Sequence, residues 1–332
     1  MPYKERAKTG LPRKIDKPKY KITNWSQYNE SLRKRGMISL YFPAGDLESL
    51  FINTKPYVEG ESGRTTTYQV PYIQLIYTLY RLFGFGQRQI TGYFEDLWRS
   101  KGLEIPVPSF GHLCNLFSQI PLEVKQFCNK LAGRVKNGEA ISLILDSTGL
   151  RFNTASSWYA MKYNKICKNK PWQKMHIAMD SEINIHDVEI TDCHTSDIEM
   201  LESLIPENIS VDRVIADGAY YSIEGVETLS NRGITPVIPP PRNAKIYGQD
   251  NTIWHDKVVG YISKKGNIYA FYKKYCYGIR ARIEAQISRI KRCIGSSLLT
   301  KKISSQKREA IIISNIINLW NSFGKCASLK IG

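Results

Sequence analysis

Apolar residues recur at helical spacing through the first part of the chain and at strand-like spacing after Gly138. "VPYIQLIYTLYRLFG" (70–84) predicts a helix ending at Gly84, and "RQITGYFEDLWRSKG" (88–102) a second ending at Gly102. "IPVPSF" interrupts the pattern, and Ser109 is placed to cap a third helix, "FGHLCNLFSQI". "LEVKQFCNKLAGRVKNG" reads as a fourth, closed by Asn137-Gly138. Helix, turn, helix, loop, helix suits a helix-turn-helix-like DNA-binding unit and a plain helical bundle alike.

Beyond Gly138, "AISLILDSTGL" reads as a buried strand with Asp146 near its end, and "WQKMHIAMD" and "IHDVEITD" as further strands. "SDIEMLESLI" predicts a helix with Ser196 as its cap. "VDRVIADGAY" is another buried strand, ending in Asp217-Gly218. A helix, "SIEGVETLSNRG", and a strand stopped by prolines, "ITPVIPPP", follow. Residues 241–275 are basic, and the aromatic alternation of "GYISKKGNIYAFYKK" predicts a hairpin. "SQKREAIIISNIINLWNSFG" is a last amphipathic helix. The order implies a mixed sheet sandwiched by helices.

"CYGIRARIEAQISRIKRCIG" (276–295) carries Ile279, Ile283, Ile287, Ile290 and Ile294 along one helical face. Tyr277, Arg280, Glu284, Ser288 and Lys291 form a stripe roughly opposite. An Arg280–Glu284 pair on a solvated face is worth only a few tenths of a kcal/mol. Charge and the remaining acids give the stripe more weight.

The 332 residues allow a sizeable core and two domains, and 42% hydrophobic with 23% charged residues is a globular composition. The net charge of +17 calls for a polyanionic partner, nucleic acid or a membrane surface. The start "MPYKERAKTG" is unlike a signal peptide, and the apolar runs are too interrupted to span a membrane, which leaves nucleic acid. Seven scattered cysteines without a CxxC pair suit reduced thiols in a cytoplasmic protein, and the five histidines offer no zinc spacing. Residues 1–22 form a basic arm with eight Lys/Arg. Acids gather in 180–227, and residues 257–308 hold fourteen Lys/Arg against Glu284 alone.

Asp146 and Asp217 end buried strands. If those strands are neighbours, both carboxylates emerge at one sheet edge, and a helix docked by its isoleucines could bring Glu284 there. Three carboxylates are hard oxygen ligands, suited to Mg²⁺ or Mn²⁺. Two such ions can drive phosphodiester chemistry. Both aspartates also occur in ordinary turn contexts, "DST" and "DG". Asp180, Asp187, Asp192 and Asp197 compete for the role, and spacing alone does not choose among them.

"YGIRARIEAQISRIK" resembles the Tyr-(2)-Arg-(3)-Glu-(6)-Lys signature of DDE transposases from bacterial insertion sequences, with Tyr277, Arg280, Glu284 and Lys291 at its fixed positions. "LILDSTGL" and "VIADGAYY" are similar to the family's two aspartate strands, carrying Asp146 and Asp217. "WQKMHIAMD", "IPPPRNAK" and "YKITNWSQYNESLRKRG" also resemble family segments, so the likeness runs from about residue 20 to 325. It implies a ribonuclease-H-like mixed sheet flanked by helices, with a small β insert at 241–275. Residues 138–300 would be the catalytic domain, with Asp146, Asp217 and Glu284 as catalytic metal ligands for two Mg²⁺ ions, Mn²⁺ substituting. Tyr277, Arg280 and Lys291 would contact DNA. Residues 23–137 would bind the element's terminal inverted repeats, and the helix in 301–332 would pack on the catalytic domain. The implied partners are double-stranded DNA, at the element ends and the target, and a second copy in a dimeric synaptic complex. A structure-selective nuclease with the same core, and a DNA-binding descendant without chemistry, are the competing readings.

Overall fold

The computed structural model describes residues 19–53, 67–129, 133, 134, 137–152 and 172–331. The basic arm up to residue 18 and most of the loops 55–70 and 151–172 lie outside them. In chain order the elements are β1 (Lys19–Ile22), α1 (Trp25–Lys34), α2 (Leu47–Phe51), α3 (Val70–Phe83), α4 (Gln87–Lys101) and α5 (Phe110–Gln119). Next come β2 (Ile141–Arg151), β3 (Trp172–Asp180), β4 (Ile185–Thr191), β5 (Val211–Ile215), α6 (Ile223–Asn231) and β6 (Thr235–Val237). The chain continues through α7 (Ile253–Lys265), α8 (Tyr269–Lys274), α9 (Ala281–Cys293), α10 (Ile303–Phe323) and β7 (Ser328–Ile331).

Five strands form one mixed sheet in the order β4-β3-β2-β5-β6. β2 is antiparallel to β3 and parallel to β5, with Ile144 opposite Ile215. Strand alternation divides the side chains between two faces. Leu143, Leu145, Val214 and Ala216 pack with Leu201, Leu204, Val226 and Leu229 on one face. Ile144, Ile177 and Ile215 pack on the other with Ile283, Ile290 and the helices that flank them. Both faces are therefore covered, as a sheet with parallel strands requires. The architecture is compatible with the expected ribonuclease-H-like sheet.

The helices at 70–84 and 88–102 end as their sequences foretell, on Gly84 and Gly102 in the left-handed region at φ 66° and 67°. Ser109 caps α5 by accepting from the His112 amide. Three expectations fail. The insert is helical rather than β: α7 and α8 occupy the stretch read as a hairpin. Val258, Val259 and Ile262 share a helical face there, and that period prevails over the β preference of the tyrosines. The fourth helix is absent from residues 121–128, and helical residues follow only at Asn129, Gly133 and Arg134 among those described. The segment is instead a strap held by α10: Asn315 accepts from the Lys125 amide at 2.6 Å and donates to Glu123 O at 3.0 Å, and Asn318 donates to Lys125 O at 3.0 Å. "SDIEMLESLI" contracts to a 3₁₀ turn at Ile198–Met200 followed by turns, which still buries Leu201 and Leu204.

α10 is buried almost all round rather than on one face. Its Glu309, with no exposed surface, accepts from the Leu299 amide at 2.8 Å and from the amide and hydroxyl of Thr300 at 2.9 and 2.7 Å. Arg81 of α3 approaches within 3.5 Å, an ion pair by proximity rather than an aligned hydrogen bond. Tyr77 of α3 donates to Ser305 O at 2.8 Å, and Trp320 of α10 donates to Tyr41 Oη at 2.8 Å. The N-terminal helices and the sheet thus share one core through α10.

The β3–β4 hairpin turns on Asp180. Its carboxylate accepts from the amides of Glu182 and Asn184 at 2.7 and 3.0 Å, from Asn184 Nδ2 and from His186 Nε2, each at 3.0 Å. Burial alone pushes this carboxyl up, but the bonds from His186 and Asn184 outweigh it and hold the group below its ordinary range.

Glu309→Ala strips Arg81 of its counter-charge and leaves the Leu299 and Thr300 amides unpaired. The expected loss is about 3–5 kcal/mol in urea denaturation, and a loss under about 1 kcal/mol would show that water replaces the carboxylate. The lowered Asp180 carboxyl contributes stability above its unfolded value, about pH 4, and that contribution fades as the pH falls through the folded value. Asp180→Asn is expected to cost about 2 kcal/mol at neutral pH and to flatten the acid limb of the stability curve, and an unchanged limb would assign acid sensitivity elsewhere.

Candidate active site

Asp146 and Asp217 each lie two residues past the last β2–β5 pair, Ile144 with Ile215. Alternation puts both on the face covered by α9. α9 is anchored by Ile283 and Ile290, fully buried, with Ile279, Ile287 and Ile294 packed beside them. Each fully buried isoleucine contributes roughly 1.5–3 kcal/mol. That exceeds an exposed ion pair several-fold, so the isoleucines and not the charges set the helix's orientation.

The stretch read as one helix from residue 276 begins instead with a 3₁₀ turn, Tyr277–Arg280, and becomes α-helical at Ala281. Cys276 before it sits in the left-handed region at φ 53°, uncommon for a residue with a side chain. This break turns Tyr277 and Arg280 towards the sheet edge. Arg280 Nη1 donates to Asp146 Oδ2 at 3.1 Å, and Nη2 donates to Glu284 Oε1. One guanidinium therefore bridges two of the three acids. Asp146 Oδ1 accepts from the Ser147 amide at 2.9 Å, and Asp217 Oδ1 from the Ala219 amide at 2.8 Å. Glu284 remains 56% exposed at the mouth of the site.

Burial, Asp217 and Glu284 all push the Asp146 carboxyl up, and the Ser147 amide and Arg280 counter only part of this. Burial pulls Arg280 down, yet Tyr277 and the three acids hold it above its usual value. Tyr277 is pushed up to about 12, chiefly by burial. Its ring stacks on Tyr272 of α8 with centroids 4.6 Å apart, and the Arg280 guanidinium carbon lies 5.9 Å from its centroid. Lys291 lies seven residues beyond Glu284, about 10 Å along α9. It is half-buried and in no ion pair among the described residues.

The competing acids go elsewhere, Asp187 accepting from the Val188 amide at 2.8 Å. Asp180 builds its hairpin, and Asp192 accepts from the amides of His194 and Thr195. Asp197 lies against Lys174 and His176, which alternation puts on the opposite face of the sheet. His176 is fully buried and bonded to Thr191 Oγ1 at 2.9 Å, and burial first of all lowers its ring to about 4.

The three acids are hard oxygen donors on one side of the sheet and suit a divalent cation of the Mg²⁺ class. Among the described residues no three His, Cys, Asp or Glu side chains already converge to hold a metal ion. Arg280 stands between two of the candidates. The donor chemistry therefore fits, with Arg280 as the group a cation would have to replace.

A cleft of about 880 Å³ opens beside Asp217, between Gly218, the Pro239–Pro241 turn and Tyr269 and Tyr272 of α8. The hairpin reading hid this wall, although Tyr269 and Tyr272 stand at i,i+3, a helical spacing. No helix among the described residues is long and apolar enough to cross a membrane.

Comparison with protein families agrees with this geometry. A family model described as a transposase DDE domain matches residues 138–319, from just before β2 into α10. A second transposase DDE domain model matches residues 33–155, which take in α3 to α5 and the Asp146 strand. Because the first match alone spans more than half of the chain and covers both aspartates and α9, the chain belongs to the family of DDE transposases.

Proposed function

We propose that the chain is the transposase of an insertion sequence, which binds the element's terminal inverted repeats and cleaves and joins DNA strands with divalent metal. The observation that carries this reading is the placement of Asp146 and Asp217 on adjacent parallel strands, under the helix that brings Glu284. Asp217 lies just past the end of β5, whereas Asp146, expected at the end of its strand, sits midway along β2, which runs on to Arg151 against β3 beyond its last pair with β5.

Asp146, Asp217 and Glu284 would hold one or two Mg²⁺ or Mn²⁺ ions, which activate a water or 3′-OH and stabilise the leaving oxygen of a phosphodiester when bound. Arg280 neutralises Asp146 and Glu284 in their absence and is positioned to turn to a phosphate once the acids take metal. Lys291 lines the same side of α9 for a phosphate further along the strand. Tyr277, fixed on Tyr272, orients the guanidinium. Residues 23–137 are the candidate reader of the repeats, and a second copy of the chain would complete the synaptic complex with two ends and a target. The basic balance of 257–308, with Glu284 its only acid, supplies the field that draws DNA to this edge.

Asp146→Asn, Asp217→Asn and Glu284→Gln are expected to abolish cleavage of DNA carrying the flanking ends while end binding persists. A gel assay of strand cleavage in Mg²⁺ and Mn²⁺ beside a band-shift assay separates the two. Loss of binding in all three variants would give the acids a folding role. Cuts that ignore the ends and follow DNA structure would favour a structure-selective nuclease. Arg280→Ala and Lys291→Ala should each reduce the slope of log K against log salt by about 0.9, and an unchanged slope would remove them from the phosphate contacts.

A further inference from the structure

The face of α9 turned away from Glu284 meets α1 along a groove of about 430 Å³. Arg35, Arg282, Arg289 and Arg292 line it, with Tyr28 and Leu32. Arg282 and Arg289 lie some 140–160° around α9 from Glu284. Among the described residues none of the four arginines forms an ion pair. Their acceptors are neutral. Arg282 donates to Ser181 O, Arg289 to Asn321 Oδ1 at 2.6 Å and Gln286 Oε1 at 3.4 Å, and Arg292 to Ser288 O at 3.4 Å.

Arg35 and Arg289 share the ring of Trp320, with guanidinium carbons 5.1 and 5.8 Å from its centroid. Arg35 Nε and Arg289 Nη2 are both buried without an acceptor. Burial, and then the nearby Arg35, lower Arg289 to about 10. Two like charges held together without a counter-ion are costly, and the structure fixes them in place with an indole and neutral amides. An anion seated in the groove would offset this charge by proximity.

The surroundings favour a long polyanion over a small one. α1 ends in Arg33, which pairs with Glu30 at 3.5 Å, and Lys34, and the ribbon of β1 and β7 carries Lys19, Lys21 and Lys330. These cations add to the positive field on the α1 side of the molecule. Guanidinium groups also match phosphate oxygens in geometry.

We propose that the groove between α1 and α9 is a second DNA-phosphate site, which holds a duplex segment distinct from the one at the acids. The inference rests on the transposase reading and names a further binding surface for it. The two faces of α9 are about 10–12 Å apart with the helix body between them. Arg282 and Arg289 therefore face away from a strand that lies on Glu284, and Arg292, about 80° around the helix, stands at the near rim of the groove.

The test is DNA binding by the full chain, followed by fluorescence anisotropy across a salt series. One duplex of about 20 base pairs carries only the element's end, and one of about 60 extends well past it, beyond a site of ordinary size. Arg282→Gln with Arg292→Gln removes two groups from the rim of the groove, and Arg289→Lys keeps its charge while removing the planar fork. For the rim pair the slope of log K against log salt should fall by about 1.8 on the long duplex and stay unchanged on the short one. Arg289→Lys should weaken binding to the long duplex alone. Equal losses on both duplexes would place the groove on the same segment as the acids and overturn the inference. So would an unchanged slope on both, which leaves the transposase reading standing. Loss of self-association without DNA would assign the groove to an acidic segment of a second copy and also overturn it. A wild-type chain that binds neither duplex would sink the transposase reading and this inference together.

Discussion

A carboxylate with no exposed surface needs company, and the company that Glu309 keeps joins the molecule's parts. Its bonds to Leu299 and Thr300 fix the loop leaving α9, and its nearness to Arg81 draws in α3. The loop in turn pairs with the far end of β2, where the Leu298 amide donates to Arg151 O at 2.6 Å. The strand bearing Asp146, the helix bearing Glu284 and the N-terminal helices therefore meet around one buried acid. A group of this kind adds less net stability than its contacts suggest, because its desolvation is costly. What it contributes is a fixed arrangement: any shift of α10 would strand a charge.

The two sides of α9 present opposite electrostatic problems. On the Glu284 side one guanidinium bridges two of the three acids, and burial first, then the neighbouring Asp217 and Glu284, raise the Asp146 carboxyl. On the groove side four guanidiniums have no acid partner among the described residues. A chain with a net charge of +17 could have paired these groups with one another. The isoleucines prevent it, since they fix the rotation of the helix and keep the two sets apart.

Periodicity made some of this legible and hid the rest. The isoleucine stripe of α9 and the strands of Asp146 and Asp217 follow from local spacing, but spacing did not choose these acids over Asp180, Asp187, Asp192 and Asp197; the resemblance to DDE transposases did. The parallel pairing of β2 with β5 could be posed only as a condition, because register between distant strands leaves no local mark. The contact from Arg280 to Asp146 spans 134 residues, and residue spacing pointed only to Arg280–Glu284. In α7 and α8 the tyrosines suggested strands although the aliphatic residues kept helical time. In α10 the asparagines interrupt an apolar run, and their partners, the strap at 121–128 and the β3–β4 hairpin, lie far away in sequence. Competition between local preference and distant partners accounts for each of these misses.

The ribbon of β1 and β7 closes the described chain on itself, with Lys19 opposite Ile331 and Ile22 opposite Ser328. A load applied at Lys19 and Ile331 would act on the outermost rung first. The ribbon would then open like a zipper, one pair after another, instead of resisting with all its rungs in shear. The first movement under tension would free α1 from its neighbour at Gly324 before the sheet was strained. Fixed arrangement and mechanical strength thus reside in different parts of this molecule: the one around Glu309, the other limited by two four-residue strands exposed but for the half-buried Ile22.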